Sequence, residues 1–269
     1  MADPAGRFGD ILPRLLSAAV MIVVAGLAIV IGGTAFRLLV GVAVAAMIYE
    51  LHRMMAPRAD RWVAPALGGG AGAGLFALAW GADAWLAIAA VLFGAGGFAL
   101  TLPAAGWRRA GAAGAAAVLL AGLSLILLRD GPGALWLLWL VLIVIGSDVS
   151  GYFAGRLIGG PRFWPAISPK KTWSGTVAGW IMAVVIGALF MGPLQAGPAL
   201  LAVSLLVAVA GQMGDIAESA LKRRVGVKDS SALIPGHGGV LDRLDAMMGA
   251  ALAWLVLAQI GVIVAVTGG

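Results

Sequence analysis

Cysteine is absent from the 269 residues, only 11% of them are charged, and tyrosine and histidine each occur just twice. Without thiols there is no disulfide framework, no thiolate metal site and no cysteine nucleophile. Scarce charge excludes an ordinary water-facing surface, since soluble domains carry about 25% charged residues. It also excludes intrinsic disorder, which needs low hydrophobicity together with high charge. What is present is apolar: 62% of the chain is hydrophobic. The apolar runs are long and continuous rather than alternating, which argues against a membrane β-barrel. The expected class is all-α, a polytopic integral membrane helical bundle.

Reading for runs of about 20 apolar residues gives about nine transmembrane helices, at 14–32, 34–52, 62–80, 83–102, 110–128, 134–157, 173–193, 198–221 and 243–265. They group into an N-terminal region, 1–133, of about five spans, and a C-terminal catalytic region, 134–269, of about four, with polar loops at 157–173 and 222–243. Glycines at 68–70, 94, 96 and 97 are expected to let helices approach closely in lipid. No internal repeat is evident, which weakens a transporter built from inverted halves. Arg7 and Arg14 precede an apolar run long enough to span, so no cleavable signal peptide is expected.

The net charge of +6 would point to nucleic acid in a soluble protein. Here it is expected to orient the bundle, and no nucleic-acid partner is implied. With the N-terminus in the cytoplasm, nine spans place every Lys and Arg except Arg37 and Arg129 on the cytoplasmic side. The opposite orientation would invert the positive-inside bias.

Residues capable of chemistry gather in two of the predicted cytoplasmic regions. In the second, Asp215, Glu218, Ser219 and Lys222 recur at helical spacing and share one helix face. An acidic group within a span is costly and usually faces the bundle interior or a wet cavity. The helix is expected to break at Gly226. Lys228 and Asp229 follow, then Pro235-Gly-His237-Gly238-Gly239, whose backbone N–H groups can form an anion-binding concavity. Asp242, Arg243 and Asp245 open the ninth span. Asp215, Asp242 and Asp245 could converge as oxygen ligands of the kind Mg²⁺ takes together with substrate phosphates. The plain alternative is that Asp242 and Asp245 serve the helix dipole and pair with nearby arginines.

The first region carries Asp148, Tyr152 and Arg156 at one-turn intervals, then a proline-interrupted loop at 159–171. Ser168, Lys170, Lys171 and Thr172 stand at the start of the seventh span, where a helix N-terminus with lysines makes a phosphate site. Equally, those lysines and Trp164 and Trp173 could anchor the chain at the lipid interface.

The string from Ser219 through Lys222-Arg223, Lys228-Asp229, Leu233-Ile-Pro-Gly-His237-Gly238-Gly239 to Asp242-Arg243-Leu-Asp245 closely resembles the signature of the phosphatidate cytidylyltransferases, or CDP-diacylglycerol synthases. The stretches Asp148 to Arg156 and Ser168 to Thr172 resemble that family's other cytoplasmic segment. The resemblance covers the C-terminal half. Ser174 and Gly151 depart from residues common in the family, and Ser174 is given no role.

The resemblance implies transfer of a cytidylyl group from CTP to phosphatidate, in a bacterial inner membrane, at a site facing the cytoplasm. It implies Mg²⁺, with a second cation left open, held by Asp215 and Asp242 with weaker help from Asp148. Asp215, Asp242, Lys222, Asp245 and His237 are the catalytic candidates. His237 could contact the triphosphate or merely shape its loop. Ser168, Lys170, Lys171, Thr172, Arg156, Ser219, Arg223, Lys228, Asp229, Gly238, Gly239 and Arg243 are the substrate-binding candidates. A homodimer is implied by the resemblance alone. Two other readings stand beside it: a CTP-dependent enzyme acting on an ether lipid or polyprenol, and an anion or lipid transporter.

Overall fold

A computed structural model describes residues 11–267, apart from Ala79, residues 81–83, Ala104, Pro235 and His237. Its helices are α1 (Ile11–Ile31), α2 (Gly33–Met55), α3 (Val63–Leu78), α4 (Ala84–Leu100), α5 (Ala105–Asp130) and α6 (Ala134–Leu157). A hairpin of β1 (Arg162–Trp164) and β2 (Ser168–Thr172) follows, then α7 (Trp173–Met191), α8 (Ala199–Val225), α9 (Leu241–Gln259) and the short α10 (Val262–Thr267). Nine of these helices fall on the nine apolar runs, so the chain is an all-helical polytopic membrane protein. Helices α2, α5, α6, α7 and α8 are each long and apolar enough to cross a bilayer, and α3 is a shorter apolar helix. Large apolar side chains stand outward: Val30 is 76% exposed, Phe93 85% and Leu157 82%. Such surface is tolerable where the surroundings are hydrocarbon and would drive aggregation in water.

The chain folds as two compact units, one of residues up to Leu119 together with Val227–Leu244, the other of Leu120–Gly226 with residues from Asp245 onward. In the first unit, α2 and α3 pack through small residues. A Cβ on Gly68 would run into the Ala45 carbonyl, and Gly41 and Gly72 lie against each other's backbone. Lipid offers helices no hydrophobic drive to associate, so close backbone approach supplies the attraction. Gly69, Gly70, Gly96 and Gly97 have no such neighbour, so the expected packing role holds for Gly68 and not for these.

In the second unit, α6 packs on α7, and α7 on α8. Trp139 is fully buried, and its indole N–H donates to Ser204 Oγ at 3.1 Å while Ser204 donates to the Leu200 carbonyl at 2.7 Å. Satisfying these polar atoms inside the unit matters because hydrocarbon offers them no partner. Gly151 and Gly175 let α6 and α7 touch, and Gly214 and Gly249 do the same for α8 and α9.

Two boundaries differ from expectation. The loop expected at 159–171 contains an antiparallel hairpin, with Arg162 opposite Thr172 and Trp164 opposite Ser168. Pro169 is tolerated there because a two-stranded ribbon consists of edges. The ninth run was expected to continue to 265, but α9 stops at Gln259, and Gly261 takes a φ of +77° before α10 begins.

Candidate active site

Within the second unit, three helices each bring one aspartate to a common neighbourhood: Asp148 from α6, Asp215 from α8 and Asp245 from α9. Each of Asp148 and Asp245 lies within electrostatic reach of Asp215, and Asp245 also within reach of Asp148. The approach of α8 to α9 has a simple cause. Gly214 precedes Asp215, and a Cβ there would collide with the Asp245 carbonyl and the Gly249 backbone. Removing side chains beside the two aspartates therefore draws their helices together.

The hairpin supplies the opposite charge. Its strand β2 carries Lys171, whose ammonium forms an ion pair with Asp215 Oδ2. Ser219 Oγ donates to the other Asp215 oxygen at 3.3 Å. The hairpin is held at its base, where Trp173 N–H donates to the Pro161 carbonyl at 3.0 Å and the Phe163 and Trp173 rings meet edge-on. Thr172 caps α7 by accepting from Gly175 N–H at 3.2 Å, a structural duty for a residue expected to bind substrate. Lys222 is buried on α8 and pairs with Glu218 at 2.6 Å, one turn earlier. Lys222 also lies within electrostatic reach of Asp245. Arg156, Lys170 and Arg223 are exposed, and Ser168 is half-buried at the start of β2.

In the first unit, the segment between α8 and α9 is organised around two carboxylates. Gly226 ends α8 in the left-handed conformation, as expected. Asp242, in the first turn of α9, accepts Ser230 N–H at 2.9 Å, Ser230 Oγ at 2.9 Å and Gly239 N–H at 2.8 Å, all at Oδ2. Glu50, from α2, accepts three more donors of the same segment and shares the Ser230 hydroxyl with Asp242. Gly239 sits where these groups meet, and a Cβ there would overlap Ser230 Oγ and lie 2.7 Å from Glu50 Oε1. Ile234 N–H donates to the Gly238 carbonyl at 2.8 Å, closing the glycine turn. Lys228, Asp229 and Arg243 are exposed on this unit. His237 lies outside the described residues.

A sequence profile of the cytidylyltransferase family matches residues 12–260. The chain belongs to the cytidylyltransferase family. Over 134 residues, 48% of this cytidylyltransferase and 49% of its relative, it is 46% identical to a phosphatidate cytidylyltransferase of Brucella abortus biovar 1 (strain 9-941). A protein of the same name from Helicobacter pylori (strain J99) is 47% identical over 127 residues, covering 46% of this chain and 47% of that one. One from Bacillus subtilis (strain 168) is 38% identical over 122 residues, with 44% and 45% covered. The chain thus spans about half the length of the curated relatives it matches.

The donor chemistry of the second unit suits a hard divalent ion, because the groups are carboxylate oxygens. Among the described residues, however, no three His, Asp or Glu side chains are gathered into a ready metal shell. The cation at Asp215 is instead the Lys171 ammonium. Sequence reasoning missed two members of the cytidylyltransferase's polar framework, Glu50 and Ser230. Glu50 could have been found as an acid close to the end of an otherwise apolar span. Ser230 carries no local signal, since only the folded loop places it between two carboxylates.

Proposed function

We propose that this cytidylyltransferase makes CDP-diacylglycerol and pyrophosphate from CTP and phosphatidate, with Mg²⁺, at the cytoplasmic face of a bacterial inner membrane. The observation that carries the reading is the group of three aspartates from three helices, closed by Lys171, in a chain of this family. Acidic side chains at the ends of three neighbouring membrane helices are expensive and usually mark ions or charged substrates.

A phosphatidate phosphate oxygen attacks the α-phosphorus of CTP. The new P–O bond forms as the bond from that phosphorus to the bridging oxygen breaks, and the electron pair leaves with pyrophosphate. The attacking oxygen is already anionic, so no strong base is required. The difficulty is alignment and charge. Mg²⁺, when bound, neutralises phosphate charge and orients the triphosphate. Asp215, supported by Asp148 and Asp245, would hold it in the second unit, and the signature assigns Asp242 to the same reaction. Lys171 and Lys170 on the hairpin bind phosphate oxygens, as do Arg156, Ser168, Ser219 and Arg223. Lys222, held by Glu218, offers its charge to the developing pyrophosphate. In the first unit Lys228, Arg243 and Gly238 would serve the nucleotide, while the Gly239 N–H is held by Asp242; the signature also contains His237, as a contact for the triphosphate or as a residue that shapes its loop.

Purified protein in lipid nanodiscs, given CTP, phosphatidate and Mg²⁺, should yield a lipid-soluble cytidine product and one pyrophosphate each. Asp215→Asn and Asp242→Asn should each cut that rate by about 100-fold or more, in the range for loss of a group acting on transition-state charge. A wild-type protein that forms no liponucleotide with any divalent ion sinks the reading. CTP-dependent product from an ether lipid or a polyprenol but not from phosphatidate would change the lipid substrate and keep the use of CTP.

A further inference from the structure

Glu50 lies five residues before the end of α2, among the buried apolar side chains Met47, Ile48, Leu51 and Met54, and is itself fully buried. A carboxylate in such a place needs donors for both oxygens. It has three and shares a fourth with Asp242. Oε1 accepts the Ser231 hydroxyl at 2.6 Å and Val240 N–H at 2.9 Å. Oε2 accepts Leu241 N–H at 2.8 Å and lies 3.2 Å from the Ser230 hydroxyl oxygen.

These donors come from the two ends of one segment. Ser230 and Ser231 begin it, and Val240 and Leu241 finish it at the N-terminus of α9, where the helix dipole favours an anion. A single side chain from α2 therefore staples the loop shut. The Ser230 hydroxyl is also 2.9 Å from Asp242 Oδ2. It has one proton and stands between two carboxylates, so any movement of Glu50 is felt at Asp242 through Ser230. Gly239 leaves no room for slack: it packs its bare Cα where Glu50 and Ser230 meet, and its N–H goes to Asp242.

We propose that Glu50 is a positioning residue for the reaction, acting through Ser230 and the start of α9 to hold the Asp242 carboxylate in one orientation. This rests on the reading above, in which Asp242 serves cytidylyl transfer. It also gives the N-terminal half of the chain, which the signature does not touch, a defined part in the chemistry.

The test compares wild type, Glu50→Gln and Ser230→Ala in nanodiscs, measuring liponucleotide formation across a Mg²⁺ series and amide hydrogen exchange over 227–244. Glutamine keeps the size of Glu50 but must turn an NH₂ toward one backbone donor. Glu50→Gln is expected to raise the Mg²⁺ concentration for half-maximal rate and to lower kcat/KM at fixed Mg²⁺ by about 10- to 100-fold, as for groups that orient a ligand without touching it. Exchange should quicken at Ser230 and at 239–241 while α6 and α7 keep wild-type protection. Ser230→Ala should shift both readouts the same way by a smaller factor, and it carries the test alone if Glu50→Gln does not fold. A purely structural role would reduce the amount of folded protein and leave the metal requirement of the folded fraction unchanged. An active wild type with Mg²⁺ dependence or loop exchange unaltered in both variants overturns the proposal alone. An inactive wild type overturns it together with the function it rests on.

Discussion

Lys171 places a permanent positive charge beside Asp215, the carboxylate proposed to hold a divalent ion. Its ammonium pairs with Asp215 and lies within electrostatic reach of Asp148 as well. In the absence of metal it offsets the mutual repulsion of these carboxylates. In the proposed reaction the same ammonium would turn to a phosphate oxygen of the nucleotide. Two consequences of removing it have opposite signs. Lys171→Gln should strengthen divalent-ion binding to the nucleotide-free protein by about tenfold, or about 1.4 kcal/mol, because it removes a competing cation from a partly exposed carboxylate where solvent screens much of the attraction. It should also lower kcat by about 100-fold through loss of a phosphate contact. Titration with Mn²⁺ followed by electron paramagnetic resonance reads the first effect, and a rate measurement at saturating metal reads the second. Weaker metal binding in Lys171→Gln would mean that the lysine supports the ion site instead of competing for it.

At the scale of elements, the loop between α8 and α9 depends on one missing side chain. Gly239→Ala places a methyl group against Ser230 Oγ and both Glu50 oxygens. The loop must then shift, at a cost of about 1–3 kcal/mol, as for other overpacked sites, and liponucleotide formation should fall with it. Gly69→Ala on α3, whose added Cβ would meet nothing within 4 Å, should leave the thermal midpoint unchanged or raise it slightly, because alanine is the better helix former. Equal thermal midpoints and rates for the two variants would show that the segment has slack. The helices themselves were legible in the sequence, because a bilayer fixes their length and their apolar character. The start of α9 and the left-handed Gly226 were legible for a local reason too, as an acid and a glycine at the positions where helix ends take them. The hairpin was not. Its strands are three and five residues long, rich in Lys, Arg and Pro, and their pairing depends on which residue faces which across the turn. Glu50 was visible as an acid near the end of an apolar run, but its role was hidden by distance, since its partners lie 180 or more residues away. The aspartates of α6, α8 and α9 were each visible as costly charges. Their gathering follows from glycine contacts such as Gly214 against Gly249, which no spacing rule reveals.

For the whole molecule, the distribution of positive charge makes a claim about orientation that the absence of cysteine makes easy to test. Nine spans with a cytoplasmic N-terminus leave an even number of helices, α3 to α6, between Arg58 and Ala166, and a single one, α7, between Ala166 and Gly192. A single cysteine can be introduced at each position without a background thiol. Arg58 and Ala166 are exposed, and Gly192 has helical dihedral angles with nothing within 4 Å of an added Cβ, so all three variants should fold. In intact cells, with the outer membrane made permeable where there is one, a membrane-impermeant maleimide should label Gly192→Cys and spare Arg58→Cys and Ala166→Cys. After the inner membrane is opened, all three should react. A reversed pattern would turn the bundle over and put the arginine-rich loops outside, against the positive-inside bias. It would also place the Lys171 hairpin on the side away from cytoplasmic CTP, so the orientation and the proposed nucleotide stand or fall on the same measurement. Labelling of Arg58→Cys and Ala166→Cys from opposite sides would instead mean that one of α3 to α6 does not cross.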